Sequence, residues 1–272
     1  MAHRCGPMKT DLALIGFGEA GSTFAATAGW GGRACGYDIL PARELAMAEH
    51  GVRPAACAAE ALQGAPLVLS LVTADAAFAA ARDCAPHLAH GAIWCDMNSV
   101  APGTKRAAAA EIGAAGGRYA DVAVLAPVNP ARMNVPLLVS GSCAEAAASL
   151  LREAGFASVR VVGTEVGRAS AIKMIRSVMI KGIEALTDEM MAAAEVAGVV
   201  DEVLSSLDAS DKAMPWESRA AYNLERMHTH GLRRAAEMEE SARTLESLGV
   251  EPLMTRQTVR RQRDAAGKGT SL

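Results

Sequence analysis

Short apolar runs alternate with alanine-rich helical stretches from Lys9 to about Val162. The runs are DLALIGFG, RACGYDIL, PLVLSLVT, AIWCDMNS, RYADVAVL, PLLVSG and VRVVG. Several are β-branched, and Gly, Pro or Asp bounds them, which marks strands. Strands that alternate with helices predict βαβ units and a mostly parallel sheet. Near Thr164 the pattern changes. From there to about Gln262 only helical periodicity is found, broken at AGVVDE, around Pro215 and around LGVEP. The expected organisation is an α/β domain over residues 9–165 and an all-α domain over 166–262, with flexible tails at 1–8 and 263–272. A long helix, from about Val166 to about Ala197, joins the two domains.

Composition narrows the class. With 272 residues the chain is long enough for a full core, and 51% apolar residues make it globular. Aromatics are only 4%, so that core rests on Ala, Val, Leu, Ile and Met. A net charge of −3 gives no electrostatic case for nucleic acid as a partner. The start, MAHRCGPMKT, has no apolar run of signal-peptide length, and no uninterrupted apolar stretch of about 20 residues suggests a membrane span. The expectation is a soluble protein of the cytoplasm. Six cysteines are scattered without a C-x-x-C pair, so free, mostly buried thiols and no metal site are expected.

The first βα turn, DLALIGFGEAGSTFA, holds Gly16, Gly18 and Gly21 in G-x-G-x-x-G spacing. A strand precedes it and a helix follows, the context that turns a weak motif into a dinucleotide-binding fingerprint. Gly16 permits the tight turn, Gly18 leaves room for a pyrophosphate, and Gly21 lets helix and strand pack closely. Phe17, Glu19 and Ala20 complete the loop. Val72 and Thr73, which close PLVLSLVT, are further candidates for cofactor contact. The second strand ends at Asp38, about 20 residues past the loop, where an acid binds the adenosine ribose hydroxyls. A carboxylate there repels a 2′-phosphate, which favours NAD; Arg43 nearby leaves NADP possible. The plainer reading of Asp38 is a cap for the helix in PARELAMAEH.

These pieces resemble the β-hydroxyacid dehydrogenases, with 6-phosphogluconate dehydrogenase as a larger relative. The resemblance covers about Lys9 to about Gly249. It implies an N-terminal Rossmann domain, a long interdomain helix and a helical domain through which members dimerise, so a homodimer is expected. The family's D-x-S/T-T-x-x-P element resembles DMNSVAP, which assigns Asn98 and Ser99 to the nicotinamide end of the cofactor. Its catalytic G-x-G-x-x-x-K-x-x-x-N resembles GRASAIKMIRS: Gly167 and Lys173 match, while Ala169 replaces a Gly and Ser177 stands at the Asn. Its substrate motif D-A-P-V-S-G-G falls on DVAVLAP, where Asp121 and Val124 fit but Leu125, Ala126 and Pro127 replace Ser-Gly-Gly. Proline has no N–H to give, so a substrate carboxylate is gripped differently. HTHGLRRAAEMEESARTLESLG resembles a poorly characterised branch with a distinct helical C-terminal domain.

Oxidising an alcohol by hydride transfer needs a base for the hydroxyl proton, and a lysine of lowered pKa can take and return it. The resemblance gives that role to Lys173. Arg176, Ser177 and Lys181 follow at i+3, i+4 and i+8, close to one helix face. Arg176 and Lys181 are candidates for attracting an anionic small-molecule substrate, and Ser177 is a catalytic candidate that bonds its hydroxyl or orients Lys173. Val124 and Leu125 complete the expected substrate wall. His228 and His230 diverge at i and i+2 on a helix, which excludes a shared metal; His230 is a candidate for reaching a substrate. The leading expectation is an NAD(P)-dependent dehydrogenase or reductase of a small hydroxy acid or related alcohol. The alternatives are an imine reductase on the same fold and a nucleotide-binding sensor or scaffold without catalysis.

Overall fold

The computed structural model of the chain describes residues 10–210 and 213–267. Its elements are β1 (Leu12–Ile15), α1 (Glu19–Ala28), β2 (Ala34–Tyr37), α2 (Arg43–Glu49), β3 (Arg53–Pro54), α3 (Ala58–Leu62), β4 (Leu67–Ser70), α4 (Ala77–Cys84), β5 (Ile93–Asp96) and α5 (Pro102–Ala114). There follow β6 (Arg118–Val124), α6 (Val128–Ala131), β7 (Leu137–Ser140), α7 (Ala144–Glu153), β8 (Val159–Gly163), α8 (Arg168–Ala197), α9 (Val200–Ser210), α10 (Trp216–Ser247) and α11 (Leu253–Ala265). The chain divides into two compact units, the first ending at Arg176 and the second starting at Ser177, within α8.

In the first unit eight strands form one sheet in the order β3-β2-β1-β4-β5-β6-β7-β8. Strands β3 to β6 reproduce the doubly wound Rossmann order, whose ligand crevice lies where the order reverses, between β1 and β4. The pair β6–β7 is antiparallel, with Asp121 opposite Ser140; every other pairing is parallel. Helices on both faces explain the uninterrupted apolar runs. Alternate residues serve opposite faces: Leu12, Leu14, Leu67, Leu69, Ile93 and Cys95 join one core cluster. Ala13, Ile15, Val68 and Trp94 join the other, where the small faces of Ala61, Ala81 and Ala108 let the helices come close. This is how a core with few aromatics fills. The two-residue β3 carries no run that a sequence pattern could show.

The second unit is helical. Helices α10 and α11 come so close that a Cβ on Gly231 would lie 2.3 Å from the Gln262 carbonyl oxygen. The buried Glu189 of α8 caps α11: its carboxylate accepts the Met254 N–H at 2.7 Å, the Thr255 N–H at 2.9 Å and the Thr255 hydroxyl at 2.5 Å. Burial works against that charge, but the bonds from Thr255 and the backbone outweigh it and hold the carboxyl below its ordinary pKa. The helix also takes in Arg263 to Ala265, which the pattern assigns to a tail, because Arg263 pairs with Glu239 of α10. The expected tail at residues 1–8, Cys5 within it, and residues 268–272 lie outside the described residues. Among the described residues no helix is long and apolar enough to cross a membrane.

Candidate active site

The glycine loop follows β1 and is held from two sides. Gly16 donates its N–H to the Tyr37 carbonyl at 2.9 Å, and Phe17 donates its N–H to Asp38 Oδ2 at 2.6 Å. Asp38 Oδ1 accepts the Leu40 N–H at 2.9 Å. Asp38 thus shapes the loop as well as standing at the expected ribose position, and it caps no helix, since α2 starts only at Arg43 without a side-chain cap. Gly16 adopts φ +94°, and a Cβ there would sit 2.6 Å from the Leu71 carbonyl oxygen. A Cβ on Gly21 would lie 3.0 Å from the Gly16 oxygen. At Gly18, by contrast, a Cβ would meet nothing within 4 Å. Gly16 is therefore required by the protein itself and Gly21 keeps a tight helix–loop contact, whereas Gly18 keeps the N-terminus of α1 open to a close approach from outside. No side chain caps that terminus, so its N–H groups are available to a phosphate.

Next to the loop lies a cavity of about 350 Å³. It brings together Glu19 and Ala20 from α1, Val72 after β4, Asn98 and Ser99 after β5, Val124 at the end of β6, and Lys173 on α8. The Lys173 ammonium donates to Ser99 Oγ at 2.5 Å. Asn98 is buried and its amide orientation is fixed: Nδ2 donates to Ser70 Oγ at 2.9 Å and to Asp96 Oδ1 at 2.8 Å. Its Oδ1 has no partner among the described residues, a buried acceptor in want of a donor. An open phosphate terminus and an unpaired amide oxygen suit the two ends of a nicotinamide dinucleotide.

Thr73 is exposed just after Val72. Leu125 follows the cavity wall, and its carbonyl accepts a bond from Arg176 at 3.2 Å. Ser177 and Lys181 lie on α8 and the exposed His230 on α10, all in the second unit. Trp216 starts α10 more than half exposed, stacked under Arg219 at 5.6 Å, so it is not a core residue. Cys35, Cys84, Cys95 and Cys143 are buried free thiols and Cys57 is exposed; burial pushes the Cys84 thiol up to about 12. No group of three or more metal-ligating side chains occurs among the described residues.

Sequence reasoning missed the polar floor beneath the cavity. Lys105 of α5 is fully buried; its ammonium donates to the Asp96 carbonyl at 2.6 Å and to Asp96 Oδ1 at 3.0 Å. It also lies 3.4 Å from Asp121 Oδ1 as an ion pair, although that oxygen accepts no hydrogen bond. Tyr119 donates its hydroxyl to Asp96 Oδ2 at 2.6 Å, and burial together with the Asp96 charge pushes that hydroxyl's pKa up. Removing one member of such a buried pair costs about 3–5 kcal/mol, because a charge is left stranded.

Residues 11–163 match the family described as the NAD binding domain of 6-phosphogluconate dehydrogenase. The chain belongs to this family. The cofactor of this domain is a nicotinamide dinucleotide. Residues 194–265 match a domain of unknown function, DUF1932. A conserved hypothetical protein from Sinorhizobium meliloti 1021 is 40% identical, with 98% of this chain and 92% of that one covered and a TM-score of 0.63. A conserved protein of unknown function, described as structurally similar to 3-hydroxyacid dehydrogenases, is 29% identical over 93% of this chain and 96% of that one, also with a TM-score of 0.63. An imine reductase from Myxococcus stipitatus in complex with NADP+ shares the fold, with a TM-score of 0.77 at 18% identity over 93% of each chain.

Proposed function

We propose that the protein is an NAD(P)-dependent oxidoreductase that transfers a hydride between the nicotinamide cofactor and a small hydroxy acid or related alcohol. The observation that carries this reading is the 2.5 Å contact between Lys173 Nζ and Ser99 Oγ at the cavity. Bound nicotinamide supplies the hydride acceptor or donor. Lys173 takes the hydroxyl proton as the alcohol is oxidised and returns it in the reverse direction, a role that needs the free amine in the forward step. Ser99 Oγ accepts from Lys173 and holds its nitrogen at the cavity. Asn98 Oδ1 would accept from a donor at the nicotinamide end, with its amide locked by Ser70 and Asp96. The remaining wall, with Leu71, Met97, Val124 and Ala126, keeps water away from the transfer path.

In this reading the substrate is anionic and Arg176, at the end of the first unit, contributes to holding it. NAD is the preferred cofactor because of Asp38. The partner is a second copy of the chain, joined through the helical unit, where Val178 is 75% and Ile183 46% exposed; light scattering should return about twice the 28.1 kDa mass. Buried free thiols suit a reducing compartment, the cytoplasm.

The test is Lys173→Met against a panel of hydroxy acids and alcohols with NAD and NADP, followed through reduced-cofactor absorbance. Turnover should vanish while NADH affinity stays within about threefold, the mark of a residue that acts on the reacting bond. Wild-type turnover by the variant defeats the mechanism. Reduction of cyclic imines without alcohol turnover replaces the substrate class, and no turnover on any substrate favours a sensor.

A further inference from the structure

Asp96 ends β5 and Asp121 stands beside it on β6 in direct parallel register, so two carboxylates share one face of neighbouring strands. Both are essentially fully buried. Like charges set side by side in a sheet repel, and apolar residues would fill the same space at lower cost. Each acid, however, serves a different client. Asp96 Oδ1 accepts the backbone N–H of Asn98 at 2.9 Å and its side-chain amide at 2.8 Å. Asp121 Oδ2 accepts the backbone N–H groups of Gly167 at 3.1 Å, just before α8, and of Ser170 at 3.0 Å, in its first turn. Ser140 reinforces that turn: its Oγ accepts the Ala169 N–H at 3.0 Å and donates to Asp121 Oδ2 at 3.3 Å. One side chain touches both acids. Lys105 Nζ lies 3.0 Å from Asp96 Oδ1 and 3.4 Å from Asp121 Oδ1.

The polar path therefore runs from Ser70 and Asn98 through Asp96, Lys105 and Asp121 to the start of α8. Ser99 stands at one end of it, and Lys173 lies one turn past the other. We propose that Lys105 is a positioning residue that ties the Asn98–Ser99 loop and the first turn of α8 to one buried charge, and so sets the spacing between Ser99 and Lys173. This rests on the reading of Lys173 as the proton carrier. Lys105 touches no reacting group. It lets two acids that organise the Asn98–Ser99 loop and the start of α8 stand next to each other, and it locks those two segments together.

The test is amide hydrogen exchange on the ligand-free full chain carrying Lys105→Met. Exchange at Asn98, Gly167 and Ser170 should speed up by about tenfold or more, while β1 and β2 keep their protection. Unchanged exchange at those three amides overturns the proposal. Equal loosening of β1 and β2 also overturns it, since Lys105 would then be a general stabiliser. Should the variant not fold, Asp121→Asn, which retains the pairing of Lys105 with Asp96, carries the test. It should loosen Gly167 and Ser170 directly and Asn98 through Lys105, and wild-type exchange at Asn98 overturns the proposal. On an active substrate, Lys105→Met should lower kcat by about a hundredfold with the KM for NADH within about threefold, the split expected when geometry and not binding is lost. Lys173→Met run in parallel separates the two ideas: if it retains turnover, the proton-carrier reading fails, while the exchange result still judges the link made by Lys105.

Discussion

Gly16 and Gly18 belong to one motif but answer to different constraints, and alanine at each separates folding from binding. At Gly16 the backbone sits at φ +94° and the added methyl carbon would come 2.6 Å from the Leu71 oxygen. The left-handed conformation costs an alanine about 1–2 kcal/mol, and relieving the overlap with a strand-end carbonyl costs about 1–3 kcal/mol more. Gly16→Ala should therefore destabilise the first unit by about 2–5 kcal/mol, a fall in Tm of roughly 5–15 °C for a domain of this size. Gly18 has φ −76°, which alanine adopts freely, and a Cβ there meets nothing within 4 Å. Gly18→Ala should change stability by no more than about 1 kcal/mol, the usual difference at a helix N-cap.

The binding effect runs the other way. A methyl at residue 18 pushes a pyrophosphate off the α1 N-terminus and weakens charge-assisted bonds, each worth about 1.5–3 kcal/mol. NADH affinity should fall by about a hundredfold, or roughly 2.7 kcal/mol. Thermal unfolding of the ligand-free variants and NADH fluorescence titration of Gly18→Ala read the two effects. Wild-type NADH affinity in Gly18→Ala refutes the placement of the pyrophosphate. A Gly16→Ala variant as stable as the wild type refutes the account of the turn.

Two other residues give sharp expectations. Asp38→Ala removes both the charge that disfavours a 2′-phosphate and the acceptor of the Phe17 N–H. NADH should bind more weakly, and the NADPH-to-NADH affinity ratio should rise by about tenfold, roughly 1.4 kcal/mol; paired titrations showing an unchanged ratio remove Asp38 from cofactor choice. Glu189→Gln should cost the helical unit about 1–2 kcal/mol at neutral pH, since it weakens the cap on α11. The Glu189 carboxyl has a lowered folded pKa, so its contribution is fully present above the ordinary glutamate range and is lost as pH falls through the folded value. The Tm gap between variant and wild type should be flat around neutrality and close below about pH 4; a gap constant down to pH 3 contradicts the charge-based account.

What the sequence shows of this molecule depends on how local each signal is. The breaks at AGVVDE, Pro215 and LGVEP match the starts of α9, α10 and α11 because chain-breaking residues act where they stand. The glycine loop is legible for the same reason, as its spacing encodes one turn. The direct contact of Lys173 with Ser99 joins residues 74 apart in sequence, and the motif comparison anticipated both residues but not their bond. Lys105 was out of reach. In GTKRAAAAEI it looks like an ordinary lysine on a solvated helix, and nothing within a helical turn of it is acidic. Its partners come from the last residue of β5 and the middle of β6, and only strand register brings them together. The sequence does carry a faint sign: Asp96 and Asp121 both interrupt apolar strand runs, and a charge inside a buried strand needs a counter-charge from somewhere. That counter-charge is Lys105 of α5, the helix that connects the two strands. The same logic applies to Asp121, which in the sequence is a fitting position of an otherwise poorly matching substrate motif. Its carboxylate accepts the Gly167 and Ser170 N–H groups, so its partner in the structure is the backbone at the start of α8. An acid inside a motif-like stretch can thus report on how the fold is held, since its carboxylate is already committed to backbone N–H groups of a neighbouring element.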